Sequence, residues 1–207
     1  MFYEKWRDVQ TSVQGESGIT AIVNAGDARV EGLETDVSWA VDDHLTLSAS
    51  GTGLLRAEIT TTFCAPTDQG VPLPTCTSPA DVDAYAGTQL PVTPKVKVNG
   101  TARYAFAVGD FKSFAQATVF HQSSTTYSLE ATRFYAGNTP PFTTVDLSAG
   151  TGLNNWHLEA YIENAFDKRG QLGRNSECND GVHYCLLNAH IYPIKPMQFG
   201  VKFGQKF

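Results

Sequence analysis

The residues with the most distinctive chemistry are four cysteines, which fall into two local pairs, Cys64 with Cys76 and Cys178 with Cys185. Both pairs lie in stretches rich in Pro, Thr, Asn, Asp and Gly. Neither shows Cys-x-x-Cys spacing, so two loop-stapling disulfides in an oxidising compartment are the favoured reading. His183 and His190 flank Cys185, which leaves a small metal site as the less favoured alternative there. Nothing points to catalysis. There is no Gly-x-Ser-x-Gly, no acid/base pair and no Cys/His cluster with metal spacing. The chain is therefore expected not to be an enzyme and to carry no cofactor. His44, His121 and His157 read as wall or turn residues.

Loops of this kind need a scaffold, and the sequence describes one. The dominant pattern has period two. Leu33, Thr35, Val37, Trp39 and Val41 alternate with Glu34, Asp36, Ser38 and Ala40. After the turn signal Asp42-Asp43, Leu45, Leu47, Ala49, Gly51 and Gly53 alternate with Thr46, Ser48, Ser50 and Thr52. The same unit recurs around Gly109-Asp110 and Asn154-Asn155, and again in Met197, Phe199, Val201 and Phe203. The pattern predicts about eight strands, at roughly 2–14, 18–41, 44–59, 93–108, 111–128, 142–153, 156–167 and 190–207. After the third strand, the connections between them alternate strictly short and long. In an up-and-down antiparallel sheet, this places every short turn at one end and every long loop at the other.

Composition narrows the class. Charged residues are 17% and hydrophobic residues 42% of the 207. No segment reaches the roughly 20 apolar residues of a transmembrane helix. A net charge of −6 argues against nucleic acid as a partner. The residues after Met1 lack the apolar core of a signal peptide. Either the chain stays in the cytoplasm or its true N-terminus lies upstream, and the paired cysteines favour the second. A soluble sandwich or lipocalin-like barrel would also alternate. Strand length, the Gly/Ser/Thr-rich opposite face and aromatics gathered near the short turns favour a membrane barrel. Those aromatics include Trp39, Tyr104, Phe106, Phe111, Trp156 and Phe203. The fold class expected is all-β: an antiparallel up-and-down transmembrane β-barrel segment.

Three stretches resemble the TonB-dependent outer-membrane receptors. The first is Val23-Asn24-Ala25-Gly26-Asp27-Ala28-Arg29-Val30-Glu31-Gly32-Leu33-Glu34. The second is Ile162-Glu163-Asn164-Ala165-Phe166-Asp167-Lys168-Arg169. The third is the last strand, Pro196 to Phe203, with a terminal aromatic at Phe207. Trp6-Arg7-Asp8-Val9-Gln10 also fits an earlier strand. The resemblance implies that 1–207 is the C-terminal portion of a 22-stranded barrel in the outer membrane of a Gram-negative bacterium, with signal peptide, plug domain and remaining strands absent.

The same resemblance implies an intact parent that imports a scarce nutrient such as a ferric siderophore. Its partners would be outer-membrane lipid, the plug, and a TonB-type coupling protein acting through the intact receptor. The barrel-assembly machinery would read the last strand. In such a barrel, ligand contacts come from the long loops, and the candidates are Arg133, Tyr135, Arg174, His183 and Tyr184. Arginine beside aromatics suits an anionic, partly flat ligand, although for any single one of these positions an ordinary solvated loop residue is the favoured reading. The alternative to a receptor section is a standalone small barrel with a structural or adhesion role.

Overall fold

The computed structural model describes residues 1–14, 20–64, 75–129, 137–175 and 190–206. In chain order the strands are β1 (Phe2–Trp6), β2 (Gln10–Gln14), β3 (Thr20–Asn24), β4 (Ala28–Ala40), β5 (Leu45–Ile59) and β6 (Phe63–Cys64). A 3-10 turn at Pro79–Asp81 precedes β7 (Val82–Ala84) and β8 (Val96–Val108). Then come β9 (Phe111–Gln122), β10 (Phe142–Leu153), β11 (Trp156–Glu163), β12 (Gln171–Asn175), β13 (His190–Pro193) and β14 (Gln198–Gln205). Eight of them form one sheet in the order β1-β4-β5-β8-β9-β10-β11-β14. The pairings are antiparallel throughout. The other six make hairpins β2/β3, β6/β7 and β12/β13. The sheet is open: among the described residues no pairing joins β1 to β14.

Side-chain alternation turns this register into two continuous faces. Across one face run Val37↔Ala49, Trp39↔Leu47, Leu47↔Ala102, Ala102↔Ala117, Ala117↔Leu147, Leu147↔Ile162 and Ile162↔Phe199. Trp39 is 59% and Phe199 79% exposed, so nothing among the described residues covers this apolar face. From Leu33 to Val41, at about 3.3 Å per residue, the apolar run measures roughly 25 Å along the strand, the height of a lipid-facing band. Aromatics line it at the short-turn end. Phe111 meets Trp156 edge-on at 6.1 Å, Tyr104 stacks on Phe106 at 6.0 Å, and His44 lies 5.8 Å from Tyr104.

At the long-loop end the pattern changes phase. On β4 the apolar residues shift from Leu33, Val37 and Trp39 to Val30 and Ala28, on the opposite face. On β5 a β-bulge does the same work. The register steps from Gly32↔Leu54 to Glu31↔Arg56, leaving Leu55 as an extra residue. Gly32 is required here because a Cβ on it would sit 2.6 Å from the Gly53 carbonyl oxygen. Beyond the bulge, Ala57 and Ile59 turn inward. The face that was apolar now carries Arg29–Glu58 at 2.7 Å and Arg56–Glu31 at 3.0 Å. The apolar band therefore ends at the bulge.

The buried core lies beyond that border. Val23, Ala25, Ala28, Val30, Ala57, Ile59, Phe63, Ala84, Leu90 and Leu129 pack together, drawn from strands and loops alike. Most predicted strands are shorter in the structure than in the sequence pattern. The strand expected at 2–14 breaks between β1 and β2, where Asp8 has φ 51°. That expected at 18–41 breaks between β3 and β4, where Gly26 has φ 86°. At this corner Val9 donates its N–H to Gly26 O and Ala25 donates to Val9 O, both at 2.7 Å. The chain thereby leaves the sheet to build the β2/β3 hairpin. The run at 190–207 likewise divides into β13 and β14, and that at 111–128 stops at Gln122.

Candidate functional site

The face opposite the apolar band is polar and partly charged. Lys97, Asn99, Thr101 and Arg103 on β8 stand beside Phe114, Gln116, Thr118 and Phe120 on β9. Thr101 and Thr118 share a hydroxyl hydrogen bond of 3.0 Å. On β11 and β14, Lys202 reaches Glu159 at 3.3 Å and lies over the Tyr161 ring at 4.6 Å. Rings on this face lie across glycines of the next strand. A Cβ on Gly150 would be 2.5 Å from Phe114, and one on Gly200 would be 2.6 Å from the Tyr161 hydroxyl. Glutamate 34, Asp36, Ser50, Thr52, Lys97, Asn99 and Phe120 line a shallow cleft on the wall.

The loop end is assembled by side chains that replace sheet bonding. Thr125 and Thr139, 2% and 1% exposed, share a 2.7 Å hydroxyl bond that closes the β9–β10 connection. That connection is tied to the β5–β8 connection by Val92 N–H donating to Thr126 O at 2.8 Å. A disulfide joins Cys64 to Cys76, with Cα atoms 5.3 Å apart, as the sequence pattern predicts. Close by, the Thr77 hydroxyl and Ser78 N–H donate to Asp81 at 2.6 and 2.7 Å and hold its carboxyl below the usual range.

The second stretch singled out in the sequence is a clasp between three strands. Asn164 is 5% exposed and sits at φ 49°. Its N–H donates to Asp146 Oδ1 on β10 at 2.7 Å. Its side-chain Nδ2 donates to Lys168 O and Lys195 O at 3.0 and 3.1 Å, while Oδ1 accepts from Lys168 N–H at 2.8 Å. Asp167 Oδ1 accepts from Met197 N–H at 3.0 Å, just ahead of β14. That hydrogen bond, and then the Arg169 guanidinium at 2.8 Å, hold the Asp167 carboxyl below its ordinary pKa. Phe166 points away, 78% exposed. Asn164, Asp167 and Lys168 thus supply the turn and its hydrogen bonds where the chain leaves β11.

Of the candidate ligand residues, Arg174 is described. It donates from Nε to Gln171 Oε1 at 2.8 Å. A Cβ on Gly137 would be 3.2 Å from its Nη1, so β12 brings Arg174 against the connection that also carries Arg133 and Tyr135. Arg133, Tyr135, His183 and Tyr184 lie outside the described residues, as do Cys178, Cys185 and Phe207. Two features escaped the sequence reading. One is the bulge, whose only signal is the adjacent pair Leu54-Leu55. The other is the stacking of Arg103 on Phe114, which no single-strand pattern reveals.

Long antiparallel strands, two opposed faces and loops gathered at one end define a section of β-barrel wall. The chain belongs to the family described as TonB dependent receptor-like, beta-barrel, whose model matches residues 1–165. Solved structures share the fold. The ferric yersiniabactin uptake receptor FyuA from Yersinia pestis matches with TM-score 0.70 and 17% identity over 99% of this chain and 26% of its own. The siderophore receptor PiuA from Acinetobacter baumannii gives 0.59 and 22% over 94% and 24%. The copper transporter OprC gives 0.65 and 16% over 99% and 28%. The chain thus spans about a quarter of the length of these receptors. No curated protein sequence matches it.

Proposed function

We propose that the chain is a section of the wall of an energy-coupled importer in the outer membrane of a Gram-negative bacterium. The observation that carries this reading is the uncovered apolar band, bounded by aromatics at one end and by ion pairs at the other. Two unpaired edges support a wider barrel, of 22 strands by family resemblance, over a closed barrel of eight. β1 covers only Ala28–Gly32 of the β4 edge, and Leu33–Ala40 has no partner on that side among the described residues. In hydrocarbon such an edge must be paired, because each unsatisfied backbone group costs several kcal/mol.

In this reading the remaining strands continue the sheet from both edges, and a plug domain fills the lumen. A TonB-type protein delivers energy through the intact receptor, and the barrel-assembly machinery reads β14. No enzymatic step is assigned to the wall. The cargo is a scarce, bulky nutrient of the ferric-siderophore kind, met first by the loops that hold Arg133, Tyr135, Arg174, His183 and Tyr184. The test uses the full-length gene. An epitope in the connection between β6 and β7 should be labelled on intact cells and one at Asn154-Asn155 should not. Iron-restricted growth on a panel of ferric siderophores should depend on the gene. Labelling of both epitopes, or growth indifferent to the gene on every siderophore, overturns the reading.

A further inference from the structure

The two sides of the sheet meet the hydrocarbon border differently. Above the apolar band on β1, β4 and β5 the cations are neutralised: Arg29 pairs with Glu58, Arg56 with Glu31 and Lys5 with Asp27. On the other side, β11 and β14 present Leu158, Ile162, Phe199, Val201 and Phe203 on the apolar face. From Trp156 to Glu163 this pair rises roughly 23 Å along the strand, at about 3.3 Å per residue, so it ends near the top of the band. Just beyond that end stand Lys168, Arg169 and Lys195, all exposed.

The Asn164 clasp gathers these cations. Its Nδ2 donates to the carbonyl oxygens of both Lys168 and Lys195, so the two lysines meet at one nitrogen. Ile194 N–H donates to Gly170 O at 3.0 Å and ties the same two segments again. Both lysines join the clasp through their backbones. Among the described residues neither ammonium has a carboxylate within ion-pair distance. Asp167 is the carboxylate of the turn, and it is already held by Arg169 and by the Met197 N–H. Glu163, paired with Gln198, belongs to the polar face. Beside the cations, Phe166 is 78% and Met197 47% exposed.

Excess cation beside uncovered apolar side chains, at the border of a lipid-facing band, fits a phosphate that carries acyl chains. Guanidinium and ammonium groups bind phosphate oxygens through charge-assisted hydrogen bonds, and long basic side chains reach from hydrocarbon level to the headgroups. We infer that Lys168, Arg169 and Lys195 form a binding site for the phosphate of a membrane lipid, whose chains lie along Ile162, Met197 and Phe199. A soluble phosphate would meet the cations and leave the apolar wall below them unused. The lipid gains both contacts. The inference rests on the apolar face meeting lipid, and not on import.

The test uses the full-length receptor, with the photo-crosslinker p-benzoylphenylalanine in place of Phe166. It is reconstituted in phosphatidylcholine vesicles containing either phosphatidic acid or diacylglycerol with the same chains, and captured lipid is identified by mass spectrometry. Phosphatidic acid should be captured well above diacylglycerol, and glycerol 3-phosphate should not compete. Lys168→Gln and Lys195→Gln should each weaken capture about fivefold, the worth of one cation near an anionic lipid surface. Lys168→Arg and Lys195→Arg should keep it, which separates lost charge from a lost clasp. Equal capture of the two lipids, or undiminished capture in both glutamine variants, overturns the site. Full competition by glycerol 3-phosphate, or a crosslink to a second receptor copy in place of lipid, overturns the lipid as occupant. A crosslinker in place of Phe199 separates the readings. Lipid capture there with none at Phe166 sinks the headgroup site and leaves the wall in lipid, while capture at neither removes both. If lipid is captured as expected while siderophore growth is indifferent to the gene, only the importer reading falls.

Discussion

Asn164 grips Asp146 across the top of the β10–β11 pair, its backbone N–H donating to the Asp146 carboxylate at 2.7 Å. The same asparagine side chain binds Lys168 twice and Lys195 once. Asn164→Ala would leave the Lys168 and Lys195 carbonyls and the Lys168 N–H without their partner. Each of the three lost hydrogen bonds contributes roughly 0.5–1.5 kcal/mol. The expected loss is about 2–4 kcal/mol, concentrated where β14 begins. Hydrogen exchange of the full-length receptor should show faster exchange at Lys168, Ala165 and Met197, and little change at Ala102 or Ala117.

The clasp has an acid limit. Met197 N–H and Arg169 favour ionised Asp167, so its folded pKa lies below the unfolded value. Its contribution is then fully present above the ordinary carboxylate pKa of about 4 and is lost as pH falls through the lower folded value. Protection of the Met197 amide should be flat from neutral pH down to about 5 and should fall in stronger acid. Asp167→Asn keeps an oxygen acceptor and should remove that dependence. Asp42 behaves alike at the short-turn end, where His44 and Leu45 N–H groups lower its pKa.

Gly26 is needed twice over. Its φ of 86° disfavours other residues, and a Cβ there would fall on the Thr61 hydroxyl. Gly26→Ala should destabilise by about 1–3 kcal/mol. Adding Thr61→Ala should relieve the clash but not the backbone strain, so rescue should be partial. Urea midpoints of the single and double variants in detergent measure both. Full rescue would mean that the backbone conformation costs nothing.

The two faces can be told apart by charge. Val37→Arg places a cation at the middle of the apolar band and should cost about 2–4 kcal/mol. Ser38→Arg, one residue on, points to the polar face and should cost under about 1 kcal/mol. Folding yield into lipid vesicles ranks the two. Equal losses would remove the assignment of faces.

Much of this architecture was legible because period-two alternation is a one-strand property. Leu33 to Val41, the turns at Asp42-Asp43, Gly109-Asp110 and Asn154-Asn155, and the strand Phe142–Leu153 all follow from it. What was hidden depends on neighbours. The sequence around Asp8 and Gly26 keeps a strand-like composition, yet paired backbone bonds between Val9 and its hairpin partners pull the chain out of the sheet. Arg103, Phe114 and Gly150 stack only once the registers of three strands are known. The loop candidates were chosen by residue type, and of them Arg174 alone can be placed, against Gly137. Loop geometry has no period to read.

The bulge at Leu55 gives β5 one residue more than its partner β4 requires. Removing that residue would leave Gly53 and the strand below it, and Arg56 and the strand above it, on the faces they already occupy. Removing Ala49 instead would turn a stretch of polar side chains toward the bilayer, since a one-residue slip exchanges the two faces. The strand therefore holds slack at one height only, at the hydrocarbon border. There the outer part of the wall can gain or lose length while the lipid-facing part keeps its place.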